Sequence, residues 1–561
     1  MSSQFSDGLP KMLRHRTRND ADRRQHSRHD EIGQKADKRD AFLVIQDNRN
    51  RPVSRDKAVD RFVDVHRFLA VCHHADYYES ASIQGFPDRS LFCCRLFAGR
   101  ELTQYRNVSS VDAFPGTNGN ARVTDGLYKD DYDLELTCAS DVALQAYLSG
   151  IQCALCLDAP GIKELTEAIT EDEEFALAHA ALGRQLLIHG FRKQSSVHLK
   201  KALTLRAQAT AREQVAIDVV VRTCRADPQA ITMAQQHVQT CPQDVFVLSH
   251  LLGPFGLLAF SGEYDWAGQN VSLLKATKSA YRADDWWHLT TGGFFAAETG
   301  EFSQAREDCE RAWSISQNGN CAHSLVHLHF EVSGLDEGKD FINEWLPTWG
   351  RESDMRHHMI WHLAFLDLES GVDIDEIFEV YDRELDAAVS DPMPLTTLSD
   401  NAAFLWRCLL AGKKASQDSN KDVLAYAEKH YVNCGFYFAD VHRAMATAMQ
   451  TSDAEHKSLL DELHEIAEKR DTPAAASLEV FASGFGAFAK HAYEETVGLL
   501  EPVLSDSVLL GGSNPQRRVV EDTYLEACMR SEQYGKARAI LQNRNRPTSV
   551  FDQRLLEITG S

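Results

Sequence analysis

FALAHAALGRQLLIHG (175–190) decides how this chain is read. Its apolar and small residues recur at helical spacing, and Leu182-Gly183 leaves a notch through which a paired helix can approach closely. A second helix-period stripe, 193–206, follows directly after Gly190. GEFSQARED (300–308) opens another second helix, with Phe302 as a knob and Ala305 as a notch. HAYEETVGLL (491–500) and EQYGKARAIL (532–541) do the same, the latter with Tyr534 and Ala537.

Working outward, amphipathic stripes recur at 137–152, 173–189, 193–206, 244–260, 283–299, 302–315, 320–334, 354–370, 396–411, 436–450, 472–489 and 515–530. Short Gly, Asp, Pro or Ser punctuation separates them. Alternating helices with a period near 34 residues are the tetratricopeptide pattern. One such unit cannot bury its apolar face alone, so neighbours stack into a right-handed superhelix. Strand signatures are nearly absent. The predicted fold is all-α: a tetratricopeptide-type helical repeat superhelix, an α-solenoid, over 128–561.

Residues 1–127 read differently. Positions 1–60 hold 14 Lys+Arg against 10 Asp+Glu, a net of +4, so the remainder carries −27 of the total −23. QHSRHDEIGQKADKRD (25–40) is too polar to bury the surface that ordering requires. FLVIQ (42–46) and SLFCCRLF (90–97) are apolar islands without a supporting pattern. A basic regulatory arm is one reading of this segment. A largely disordered extension, or a start placed too far upstream, is the preferred one, and no function is built on it.

Composition narrows the classes. A chain of 561 residues exceeds one typical domain, and 43% hydrophobic with 25% charged residues is ordinary for a soluble protein. A net charge of −23 argues against a nucleic-acid surface. No apolar run approaches the roughly 20 residues that span a bilayer, so no membrane partner is expected. The N-terminus lacks an apolar signal core, and Asp7, Asp20 and Asp22 do not suit a transit peptide. Thirteen scattered cysteines imply reduced thiols and a cytoplasmic location. Cys153 and Cys156 form a lone C-x-x-C in an apolar helix, read as buried thiols. Neither a phosphate-binding glycine loop nor a G-x-S-x-G elbow is present.

The chemistry-bearing feature is CAHSLVHLHFE (321–331), followed by DMRHHMIWH (354–362). His323 and His358 are 35 residues apart, as are His327 and His362. A spacing of four keeps both members of each pair on one helix face. One repeat of offset should bring the two pairs to the same height on consecutive first helices. Glu331 and Asp354 extend the stripes, His288 lies a further 35 residues upstream, and His329 is turned away. Two such imidazole pairs supply four nitrogens, or three and an open position, for a zinc-like divalent transition metal, with carboxylates as orienters or bases. H-E-x-x-H is absent. A metal-free polar groove and a structural histidine network compete with this reading.

These residues also carry a resemblance. FALAHAALG (175–183), AREQ (211–214), SHLL (249–252), HSLVHLHFE (323–331), SDMRHHMIWH (353–362), FADVHRA (438–444) and LGGSNPQRRVV (510–520) resemble the tetratricopeptide repeat protein 38 family, over about three quarters of the chain. The resemblance implies the superhelix but no defined reaction. It adds His179, His250, His442, Arg212 and Asp440 to the candidate residues, with Ser513, Asn514, Gln516 and Arg517. The family pattern places an acidic residue directly after His329; here Phe330 stands there and Glu331 comes one later. In the loop at 511–513, Gly511 and Gly512 are expected to end one helix, with Ser513 or Asn514 capping the next and Pro515 in its first turn.

The leading expectation is a scaffold that binds a protein or small ligand in a concave, histidine-lined groove. Its members are His179, His250, His288, His323, His327, His358, His362, His442, Glu331, Asp354, Asp440 and Arg212. The alternative is a metal-dependent enzyme, perhaps a hydrolase, with His323, His327, His358 and His362 as ligands and Glu331 or Asp354 as acid–base.

Overall fold

A Cβ built on Gly183 would lie 2.7 Å from Leu199 Cδ2. The same meeting recurs between Gly150 and Leu165 at 2.6 Å, Gly293 and Cys309 at 2.5 Å, and Gly484 and Leu500 at 2.6 Å. In each, a glycine of a first helix accepts a side chain fifteen or sixteen residues later, on the second helix. Contacts this short exclude a side chain at the notch, so the glycine sets the distance between paired helices.

The computed structural model describes residues 128–561 except 160, 333, 351–352, 387–392, 414–415, 545–547 and 561. The expectations for 1–127 lie outside the described residues. A small antiparallel ladder, β1 (Tyr128–Lys129) with β2 (Glu135–Leu136), precedes the helices. The helix pairs are α1 (Asp141–Cys156) with α2 (Ile162–Glu171), α3 (Ala176–Ile188) with α4 (Arg192–Leu205), and α5 (Ala211–Cys224) with α6 (Gln229–Thr240). After α7 (Val245–Leu251) and α8 (Trp266–Thr277), pairing resumes with α9 (Trp286–Glu298) and α10 (Phe302–Ile315), α11 (Gly319–Glu331) and α12 (Leu335–Trp345), and α13 (Arg356–Ser370) and α14 (Ile374–Val380). The last pairs are α15 (Pro394–Leu410) with α16 (Gln417–His430), α17 (Tyr437–Ala448) with α18 (Ala454–Arg470), α19 (Pro473–Ala489) with α20 (Tyr493–Leu500), and α21 (Asn514–Arg530) with α22 (Tyr534–Asn543), followed by α23 (Val550–Gly560).

First helices stack on first helices: α3 on α5, α9 on α11, α15 on α17, α17 on α19. They form the inner layer, since α15 buries 14 of its 17 residues, whereas α4 buries only Ser195, Leu199, Ala202 and Leu205. This is a tetratricopeptide-type repeat array. No helix among the described residues is long and apolar enough to cross a membrane.

Two departures from regular repeats shape the interior. The stripe expected at 244–260 is helical only to Leu251, because Gly253, at φ 106°, and Pro254 stop α7. The coil is also tight enough for distant repeats to touch. Asn320 donates to the Leu155 carbonyl at 2.9 Å, and Asp158 accepts from the Gly319 N–H at 2.8 Å and Trp349 Nε1 at 2.9 Å. Further along, Gly512 N–H donates to the Pro254 carbonyl at 3.0 Å, and Trp266 Nε1 to that of Val508 at 3.0 Å.

Candidate metal centre and pocket

Asn318 caps α11 by accepting the Cys321 N–H at 3.0 Å. The helix then turns His323 and His327 to one face, and α13, the next first helix, presents His358 and His362 toward them. Ring centroids lie 5.0 Å apart for His323 and His358 and 4.7 Å for His327 and His362. Each of the four offers a nitrogen, and these nitrogens all lie within 4.8 Å of one another. All four residues are buried, with His327 at 0% and His362 at 1% exposure. Nitrogens around a tetrahedral ion stand roughly 3.3 Å apart for metal–nitrogen bonds of about 2.05 Å. His323 Nε2 and His327 Nε2 are already 3.0 Å apart.

Buried carboxylates stand behind two of the rings. Asp400 Oδ2, on α15, lies 2.8 Å from His358 Nδ1, and Glu298 Oε1, at the end of α9, lies 3.6 Å from His327 Nδ1. Asp400 at His358 Nδ1 holds the proton there and leaves Nε2 as a lone pair, whereas Glu298, at 3.6 Å, lies beyond hydrogen-bond distance of His327 Nδ1. His362 Nε2 has no hydrogen-bond partner. Burial, with the neighbouring imidazoles, keeps His323 and His362 well below the ordinary histidine range. Burial lowers His327 as well, against the pull of Glu298. A transition metal requires deprotonated nitrogens, and binding one would displace the proton shared between His323 Nε2 and His327 Nε2. Phe294 packs against His323 and His327, and Trp361 stacks on His358.

His323 and His358 also line a cavity of about 360 Å³. Its walls include Leu252 to Leu257 from the broken end of α7, and Ser513 and Gln516 from the start of α21. The expected cap is present, since Ser513 and Gln516 form a capping box with Pro515 in the first turn. The loop does more than cap. Gly511 and Gly512 hold φ 76° and 77°, and a Cβ on Gly512 would come within 2.4 Å of the Phe438 ring. Asn514 N–H donates to both oxygens of Glu298, at 3.1 and 2.9 Å, which ties this loop to the carboxylate behind His327.

Of the other expected site residues, His250 and Asp354 line the same pocket. His250 Nδ1 faces the Phe246 carbonyl at 2.6 Å, and burial lowers its pKa to about 3. Asp354 Oδ1 lies 2.9 Å from His189 Nε2; burial depresses His189, but the hydrogen bond and charge of Asp354 raise it above its ordinary value. The remaining residues lie elsewhere. His179 meets His198 at 3.0 Å and the Glu173 carbonyl. His288 packs on Tyr281, and Arg212 pairs with Asp244 at 3.0 Å. Asp440 accepts the Gly435 N–H at 2.6 Å, and burial raises it to about 6. His442 Nδ1 faces the Phe438 carbonyl at 2.6 Å. Glu331 is buried at the end of α11, outside the set of four nitrogens. His329 packs on Phe341, as its angle on the helix requires.

Asp400, Glu298 and Arg184, all at the site, escaped sequence reasoning. Their one signal was an ionisable residue within an apolar helical run, as in LSDNAAFLW (398–406) and GGFFAAE (292–298).

No protein-family model matches the chain. Among solved structures, that of Naa15/Naa10 bound to HypK-THB is similar over 75% of this chain and 68% of that chain, at 13% identity and a TM-score of 0.21. The P58(IPK) TPR domain is similar over 71% of this chain and 100% of its own, at 12% identity and a TM-score of 0.16. Likenesses at these scores carry no argument; the fold rests on the helix pairs, their glycine notches and their stacking order.

Proposed function

We propose that the protein binds a small molecule in a pocket beside a transition-metal ion held by His323, His327, His358 and His362. The convergence of four buried imidazoles, two of which also line the pocket, carries this reading. Four nitrogen donors suit zinc, copper, nickel or iron(II) better than magnesium or calcium. An ion there would polarise a bound ligand or acidify a bound water. Asp354, hydrogen-bonded to His189 on the same wall, is the acid–base pair placed to serve it. Asp400 and Glu298 act from behind as orienters.

Elemental analysis tests the reading on the full chain, purified without a histidine tag, beside its His323→Ala/His358→Ala double variant. About one zinc-like ion per chain in the parent and none in the variant is the expected result. Metal-free protein on both sides, with the variant folded, overturns it.

A second reading, a scaffold for a protein partner, is supported by the repeat architecture and by exposed apolar side chains such as Phe191 and Val432. It predicts partner capture that is indifferent to the histidine substitutions. Within the repeat class, we place the chain nearest the tetratricopeptide repeat protein 38 family, on the stretches quoted above. A cytoplasmic setting accords with the free thiols of the described cysteines.

A further inference from the structure

Arg184 stands in α3 and lines the pocket. Among the described residues it has neither a hydrogen bond nor an ion pair. The other charged groups on the wall have hydrogen-bond partners, although Arg192, like Arg184, has no ion pair among the described residues. Asp354 is hydrogen-bonded with His189 at 2.9 Å, and Arg192 donates to the His430 carbonyl. Much of the remaining lining is apolar, with Leu155, Ile188, Phe246, Phe255, Phe294 and Met355 among it. The Arg184 side chain is half-buried at the cavity wall, and loss of hydration there pulls it below the ordinary guanidinium range, with the Cys224 thiol the one group acting against that shift. Its field also reaches His250 and helps depress it.

A guanidinium left unpaired on an apolar wall costs stability unless something supplies the missing charge. We infer that the pocket takes an amphipathic carboxylate, whose apolar body fills the cavity and whose carboxylate pairs with Arg184. The free fork of Arg184 matches a planar two-oxygen group, and Asp354 on the same cavity wall disfavours a second negative charge, which favours a carboxylate over a dianionic phosphate. A cavity of about 360 Å³ lies within the range that holds small organic ligands. His323 and His358 line the same cavity. This deepens the pocket reading above, but it stands on Arg184 and not on the metal.

Isothermal titration of the full chain with decanoate, decanol and decyl phosphate tests the inference, in the parent, Arg184→Met and Arg184→Lys, with metal content measured on each sample. Decanoate should bind the parent at least tenfold more tightly than Arg184→Met, recover in part in Arg184→Lys, and outcompete decanol. Equal decanoate binding by parent and Arg184→Met overturns the inference, as does decanol binding as tightly as decanoate. Tighter binding of decyl phosphate than of decanoate overturns the choice of carboxylate. If Arg184→Met does not fold, the decanoate–decanol difference in the parent and the Arg184→Lys titration still decide. Decanoate binding that tracks Arg184 in metal-free protein sustains this inference and removes the metal centre. Absence of decanoate binding in metal-loaded protein does the reverse.

Discussion

Asp400→Asn separates a metal centre from a structural histidine network. Asp400 Oδ2 sits 2.8 Å from His358 Nδ1, its side chain is 1% exposed, and Ser399 Oγ donates to its other oxygen at 3.2 Å. Asparagine keeps the volume and removes the charge. It also allows an amide N–H to face His358 Nδ1, which moves the imidazole proton to Nε2, the atom turned toward the cluster. Loss of such an orienting carboxylate weakens metal binding by about 10–100-fold, or about 1.4–2.7 kcal/mol. Competition against a chromophoric zinc chelator reads this directly. A parent at 1,000 times its Kd gains about 4 kcal/mol from bound metal. The added chelator should therefore lower the parent's melting temperature, and lower that of Asp400→Asn by less. Equal chelator shifts in the two proteins, or none in either, would refute the reasoning and favour a network that serves stability alone.

Three more outcomes follow from the same geometry. Burial raises Asp158 from the ordinary carboxylate range to about 6, against the two N–H groups that donate to it. Stability from that group is full below its unfolded pKa and is lost as pH rises through about 6, so Asp158→Asn should match the parent at pH 3.5. By pH 7 the variant should melt higher, by up to about 3 kcal/mol for two pKa units, as pH-stepped thermal denaturation will show. His189 has the corresponding sign for a base: its raised pKa stabilises the fold at low pH, and the benefit disappears as pH climbs above its unfolded and then its folded value. His189→Gln should flatten that alkaline slope in the same scans, and an unchanged slope would discount the His189–Asp354 pair. Gly512→Ala must hold φ 77° with its Cβ against Phe438, so a loss of about 1–3 kcal/mol in urea denaturation is expected, together with weaker ligand binding as Ser513 and Gln516 shift.

Helix positions were legible because amphipathic periodicity is a local property. The stripes at 302–315 and 472–489 coincide with α10 and α19 to within a residue. The notch at Gly183 was legible for the same reason, since a glycine in an apolar helix has few other uses. His323, His327, His358 and His362 could be paired before any coordinates, because a four-residue spacing fixes a face and a 35-residue offset equals one repeat. The stripe at 244–260 misled because Gly253 and Pro254 interrupt hydrophobicity that continues beyond them, and the chain there folds inward as pocket wall.

The sequence by itself determined the repeat, the notch at Gly183 and the meeting of two histidine pairs on neighbouring helices, all products of spacing within about one repeat. Tertiary structure alone decided that the cluster is buried, that Asp400 and Glu298 stand behind it, and that Arg184 faces the cavity unpaired. Those facts depend on how tightly the array coils, and the coil is set by contacts such as Asp158 with Gly319 and Glu298 with Asn514, between residues 161 and 216 positions apart. Spacing fixes what lies on one helix face; only closure of the superhelix brings distant carboxylates and cations to it.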